Sequence, residues 1–174
     1  MAHPRRLIEA RVQKLLANLG FHEIPVPVDR VARSLGARLR YSPLDEELSG
    51  FIFIKDGVPI IGINSLHHPN RQRFTIAHEI GHLQLHPEFI TTTVHVDKRF
   101  AESVLKRDTS SASGIERLEV EANQFAAALL MPAFILDRLL KQSPIDIEDG
   151  GAMEAWAKDF VVSRAALQYR IRNL

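Results

Sequence analysis

The chain contains no cysteine, which excludes disulfides, thiolate metal ligands and a cysteine nucleophile. Any metal it binds must therefore be held by histidine and carboxylate. An excess of one charge is missing too: 22 basic residues against 21 acidic ones leave a formal net charge of +1, too little for bulk electrostatics to select nucleic acid or a membrane as partner. No apolar run approaches membrane-spanning length, and Met1-Ala2-His3-Pro4-Arg5-Arg6 leads into a mixed-charge helical pattern rather than a cleavable apolar leader. A cytoplasmic location with no membrane partner is the expectation. There is no internal repeat, and no low-complexity tract beyond the serine-rich stretch 107–114. What is present, 174 residues of which 45% are apolar and 25% charged, suits one globular domain with a real core.

Apolar residues at helical spacing over residues 7–19 (Leu7, Ile8, Val12, Leu15, Leu16, Leu19) predict an amphipathic helix closed by Gly20. Pro25 and Pro27 then enforce extended backbone before a short helix at 28–35, ended by Gly36, and a half-buried strand at 37–41. Phe51-Ile52-Phe53-Ile54 and Val58-Pro59-Ile60-Ile61-Gly62-Ile63 flank Asp56-Gly57 and read as a hairpin with a type I′ turn. Pro59 lacks an N–H and belongs at a strand start or on an exposed side. Pro69 opens a long helix that Pro87 stops. Residues 91–96 have strand composition, and 107–114 read as an exposed loop. Ser113 and Glu116 match a capping box opening a helix through Leu130, Pro132 begins another to about Lys141, and two short helices (152–160 and 164–173, the second capped by Ser163) complete the chain.

The long helix carries His78-Glu79-Ile80-Gly81-His82. Residues at i and i+4 share a helix face, so His78 and His82 can address one metal ion. Glu79 then sits beside the metal, placed to take a proton from a water held there. Catalytic zinc sites typically use a third protein ligand, and the helix after the serine-rich stretch offers Glu119. Glu119 and Asn123 are i and i+4 on a face that continues through Ala122 and Ala126, small enough to admit another helix. Glu121 lies about 200° around the helix from Glu119 and faces elsewhere. The expected site is His78, His82 and Glu119, with the Asn123 side-chain oxygen accepting the Nδ1–H of a ligating histidine.

His86 extends the i+4 series, but each step drifts about 40°, so three such positions converge poorly on one ion. A supporting or packing role is expected for it. A third histidine six residues after His82 would fall on Glu88, and the glycine of that metzincin arrangement is absent. His3, His22, His67 and His68 read as surface or packing residues. His95 is a minor candidate for stabilising an oxyanion, and Arg71 and Arg73 read as a solvated first turn. The tail has the look of a helix-turn-helix in which Arg164, Arg170 and Arg172 could meet phosphates, but its apolar residues are those of any packed helix pair. Direct DNA binding is not expected.

The motif His78-Glu79-Ile80-Gly81-His82-Leu83-Gln84-Leu85-His86, followed by Glu119-Val120-Glu121-Ala122-Asn123-Gln124-Phe125-Ala126-Ala127-Ala128-Leu129-Leu130-Met131-Pro132, resembles the ImmA/IrrE family of zinc-dependent metallopeptidases. The likeness runs more loosely upstream through Gly62-Ile63-Asn64 and Arg71-Gln72-Arg73-Phe74, covering most of residues 25–140. It implies a gluzincin-like site with one catalytic Zn²⁺ on His78, His82 and Glu119. It also implies a protein substrate, an XRE-type helix-turn-helix repressor cut at one site to relieve repression. Gln84 stands where relatives commonly carry an apolar residue, away from the ligands.

The expected fold is a single α+β domain of zincin type over residues 1–174. A metal-site core occupies about 50–140 and a C-terminal helix pair 152–173, and a small sheet containing the hairpin packs on the motif helix. The expected reaction is hydrolysis of a peptide bond with Glu79 moving the proton. The rival from another class is a non-catalytic metal-bound regulator that binds a repressor or DNA without cutting it. A less specific peptidase is the alternative within the enzyme class.

Overall fold

The computed structural model describes residues 5–90, 95–96 and 109–174. Helix α1 (Arg5–Leu19) buries Ile8, Val12 and Leu16 along one stripe, each contributing roughly 1.5–3 kcal/mol relative to exposure. Leu7 stays outside. Helix α2 (Val28–Ser34) buries Val28, Val31 and Ala32. Both helices end in the same cap: Phe21 N–H reaches Leu16 O at 2.9 Å and Gly20 N–H reaches Ala17 O at 3.1 Å, and the pattern recurs from Ala37 to Ala32 and Gly36 to Arg33. Those are the paired bonds of a Schellman ending.

Strand β1 (Arg38–Ser42) is followed by β2 (Gly50–Lys55) and β3 (Val58–Asn64), and the two residues His95–Val96 add β4. The sheet order is β1-β3-β2-β4, with β1 parallel to β3 and the other pairs antiparallel. Asp56 and Gly57 turn the hairpin at φ of 52° and 75°, both left-handed as a type I′ turn requires. Pro59 faces Ile54 on β2 while the β1 register begins only at Ile60, so its missing N–H interrupts neither ladder. Ile52, Ile61 and Ile63 are buried under the helices. Asn64, also buried, ties down the loop between β1 and β2: its Nδ2 donates to Leu48 O at 2.9 Å and Asp45 O at 3.1 Å, and its Oδ1 accepts from Leu44 N–H at 3.2 Å.

Helix α3 (Pro69–Leu85) starts with Pro69 in its first turn, His68 Nδ1 accepting from Asn70 N–H at 3.2 Å. It ends at His86, since Pro87 disfavours helical backbone in the residue before it and itself opens the short α4 (Pro87–Ile90). Helix α5 (Thr109–Leu130) is the principal partner of α3. It begins earlier than the capping box at Ser113 predicts. The Thr-Ser-Ser-Ala run looks like loop by composition, but adding residues to an existing helix needs no new nucleus and costs only a few tenths of a kcal/mol each. Residues 91–94, part of the expected strand, and 107–108, the start of the expected loop, lie outside the described residues.

Helices α6 (Ala133–Gln142), α7 (Gly150–Phe160) and α8 (Arg164–Arg172) close the chain. Asp149 caps α7 through Gly151 N–H at 2.9 Å, and Ser163 Oγ caps α8 through Ala166 N–H at 3.1 Å. Arg170 is buried rather than available to phosphate. Its Nη1 and Nη2 meet the Glu9 carboxylate at 2.5 and 2.9 Å, and its Nε donates to Met131 O at 3.0 Å. One hydrophobic cluster runs from Ile8 through Ile61, Ile80 and Phe125 to Phe160 and Leu167. The fold is α+β, eight helices around a small sheet among the described residues. No single helix there is long and apolar enough to cross a membrane. Gly114–Leu130 with α6 has the combined length but bends by 44°, and Phe125, Leu129, Ile135 and Leu136 lie in the core.

Candidate metal centre

Helix α3 reaches the middle of the molecule without a side chain at its closest approach. A β-carbon on Gly81 would stand 3.1 Å from both Ala122 Cα and Ala122 O, and 3.2 Å from Phe125 Cβ. The backbones of α3 and α5 can therefore meet there, and the polar side chains beside Gly81 are carried inward with them. His78, Glu79, His82 and Glu119 are 5%, 1%, 1% and 6% exposed. Burial of four such groups costs several kcal/mol unless they are mutually satisfied.

His78 Nε2 lies 3.2 Å from Glu119 Oε2, and His82 Nε2 lies 3.3 Å from Glu119 Oε1. The two Nε2 atoms are 3.0 Å apart, their rings meeting edge to face at 77°. One donor atom from each of the three residues falls within 4.8 Å of the others. Donors about 2.1 Å from a tetrahedral ion stand about 3.4 Å apart, so these three fit a small divalent cation with only slight opening. The donor set, two imidazoles and a carboxylate, suits a borderline metal of the zinc type.

Asn123, one turn beyond Glu119, places Oδ1 2.9 Å from His78 Nδ1. With Nδ1–H donating there, the lone pair of His78 lies on Nε2, toward Glu119 and His82. His86 stands on the far side of His82, Nδ1 to Nδ1 at 3.2 Å, and its Nε2 is 2.9 Å from Glu121 Oε2. It is outside the group of converging donors. Glu121 faces away from Glu119, as its spacing predicts, but into a buried pair with His86 that helical spacing alone does not show; the histidine one turn past the motif is the sequence signal for it. Phe74, a turn before His78 and 6.2 Å from its ring, is partly exposed.

Arg73 is not a solvated first-turn residue. Its Nη2 donates to Val26 O at 2.9 Å, and burial pushes its guanidinium below the usual arginine range, with Asp29 opposing the shift. Arg71 reaches Ser49 Oγ at 2.9 Å. His67 Nε2 lies 2.9 Å from Glu46 O, and His22 and His68 are exposed. The backbone of His95 pairs with Ile52, while its side chain, like all of His3, lies outside the described residues.

A family model described as the IrrE N-terminal-like domain, of a peptidase family, matches residues 32–172. The chain belongs to the IrrE-like peptidase family. Among curated relatives of this family member, an uncharacterized immunity region protein of Bacillus phage phi105 is 27% identical over 150 residues, 86% of this chain and 84% of the phage protein. The radiation response metalloprotease IrrE of Deinococcus deserti is 40% identical over 83 residues, 47% of this chain and 25% of that protein. Its Deinococcus radiodurans counterpart is 32% identical over 114 residues, 64% of this chain and 30% of that protein. A solved Mycobacterium tuberculosis transcriptional regulator superposes with a TM-score of 0.61 at 16% identity, over 92% of this chain and 45% of the regulator. The IrrE-like chain is thus comparable in length to the phage protein and spans a third or less of each Deinococcus protein. Its site belongs to a metallopeptidase-type family.

Proposed function

We propose that this chain is a zinc endopeptidase of the gluzincin pattern, in which His78, His82 and Glu119 hold one Zn²⁺ and Glu79 is the general base. The observation that carries the reading is the convergence of His78 Nε2, His82 Nε2 and the Glu119 carboxylate within 3.0–3.3 Å. When bound, the ion supplies Lewis acidity to the scissile carbonyl and lowers the pKa of the attacking water. Glu79, adjacent to His78 and buried, takes the proton from that water and delivers it to the leaving amine. Asn123 holds His78 with its lone pair inward. The whole chain acts as one zincin-type domain in the cytoplasm.

The substrate in this reading is an XRE-type helix-turn-helix repressor cut at one site. The family resemblance suggests it, and the name of the phage relative, an immunity region protein, is in keeping with such a circuit. The test incubates purified protein and zinc with the repressor from the neighbouring reading frame. A single cut, lost with chelator and with Glu79→Gln, is the expected result. An intact repressor in tight association overturns the protease reading in favour of a non-catalytic regulator, and digestion at many sites overturns the specificity.

A further inference from the structure

We propose that the outer edge of β1 is a docking site for an extended acidic segment of another protein, taken up as an added strand whose acidic side chains lie beside Arg38 and Arg40. Strand β1 stands at one margin of the sheet and is paired on one side only, with β3. Its other side is uncovered among the described residues, and the free peptide groups of such an edge are a template for pairing. Adding a partner strand to a sheet edge is a recurring mode of peptide recognition, in which main-chain bonds give affinity and alternate side chains give specificity. On the helix side β1 rests mainly on α2. It shares no side chain with the metal group, so it can be occupied whether or not metal is bound.

The side chains along that edge specify the occupant. Arg38 and Arg40 are exposed and lie in register with Ile60 and Gly62 of β3, which face Phe53 and Phe51 of β2. The two arginines and the two phenylalanines line one hollow on the face turned away from the helices, together with Lys55 and Asp56. A β-carbon on Gly62 would run into the Phe51 ring, so that ring lies over the β3 backbone, 5.9 Å from the Phe53 ring. The floor is apolar, and the charge around it is three cations against one carboxylate. No ion pair among the described residues engages Arg38, Arg40 or Lys55.

Directly opposed side chains on neighbouring strands stand about 5 Å apart at Cβ, near enough for opposite charges to attract and like charges to repel. Every second residue of a strand laid along β1 therefore meets Arg38 or Arg40, and a carboxylate there accepts charge-assisted hydrogen bonds from the guanidinium. The residues between point to the other face. There Leu39 is half-buried and Tyr41 is 50% exposed, while Asp29 and Arg33 of α2 already pair with each other at 3.0 Å. Apolar, β-branched residues suit that side. The occupant is thus a segment in which glutamate or aspartate alternates with apolar residues. Single-stranded nucleic acid would meet the cations but leave the peptide groups of the edge unpaired, and a second β1 would set arginine against arginine.

The test titrates the full chain with a short fluorescein-labelled peptide that alternates glutamate with valine. Anisotropy should show saturable binding, and ¹H–¹⁵N amide shifts should concentrate on residues 38–42. Binding should weaken about tenfold or more in Arg38→Glu/Arg40→Glu, where attraction at two positions becomes repulsion, and that variant should instead prefer a peptide alternating lysine with valine. Arg38→Gln/Arg40→Gln should give an intermediate loss, and it supplies the comparison if the reversed protein does not fold. Absent binding, binding indifferent to both variants, or shifts lying away from β1 overturn the proposal. An oligothymidylate that binds more tightly than the glutamate peptide and shifts the same amides overturns it in favour of nucleic acid. A dimer in sedimentation that Arg38→Glu/Arg40→Glu disrupts overturns it in favour of a second copy.

Discussion

Gly81 lies against Ala122 so closely that a β-carbon added to the glycine would stand 3.1 Å from the alanine's Cα and carbonyl oxygen. Those neighbours are backbone and cannot swing aside, so a side chain at Gly81 displaces α5 relative to α3. Glu119, one turn before Ala122, would move with it. Gly81→Ala forces a shift of a few tenths of an ångström and is expected to cost about 0.5–2 kcal/mol net, the overpacking outweighing the roughly 1 kcal/mol that alanine gains over glycine in a helix interior, and to weaken metal binding in the folded fraction. Urea unfolding with a zinc titration measures both. Wild-type values for the two would mean that the interhelical contact does not set the site.

Glu79→Gln keeps the shape of the side chain and removes its basicity. Zinc affinity should remain within a few-fold of the wild type while cleavage of the repressor falls by about 10²–10⁴-fold. Metal binding by chelator competition and cleavage followed on gels separate the two effects. A variant that cuts at the wild-type rate would remove Glu79 from the mechanism.

A ligand that binds only the folded state stabilises by about 2.7 kcal/mol at a hundredfold excess over its Kd. For a domain of this size that is roughly 5–11 °C in melting temperature. Zinc should produce such a rise in the wild type, and Glu119→Ala should abolish most of it. The loss at Glu119 should exceed that from any single change at Glu121. An undiminished rise in Glu119→Ala would place the third ligand elsewhere.

Arg170 joins α8 to α1 through Glu9 and to the end of α5 through Met131 O. Arg170→Ala leaves the Glu9 carboxylate, itself only partly buried, without that partner. The expected cost is about 2–4 kcal/mol, below the full range for a wholly buried pair because solvent still reaches Glu9. Thermal unfolding of the metal-free protein gives the number, and a loss under about 0.5 kcal/mol would reduce the cluster to a surface contact.

Where chemistry acts within a few residues, the chain could be read directly. Asp56-Gly57 announces its turn, Pro69 and Pro87 bound the motif helix, and the pairs His78/His82 and Glu119/Asn123 share faces because a helix repeats every 3.6 residues. Contacts between elements were harder. Arg73 reads as a solvated first-turn charge and Arg170 as one that could meet phosphate, yet each long side chain crosses to a carbonyl on another segment. Glu121 lies far around its helix from Glu119, and nothing in its local spacing says that the last turn of α3 passes within its reach. Helix α5 starts ahead of Ser113 because Thr-Ser-Ser composition expresses only a weak propensity that the rest of a long helix overrides.

The sheet order leaves β1 at one margin, and no strand among the described residues covers its outer side. An open strand edge is a template for pairing with other chains. Arg38 and Arg40 are exposed along it and share a surface hollow with Lys55 and Asp56, so a second copy approaching edge to edge would bring two pairs of arginines close to one another. In a chain whose net charge is only +1, overall repulsion does little to keep molecules apart. Colloidal stability therefore depends on where these few cations sit, and salt, which screens them, would weaken the protection.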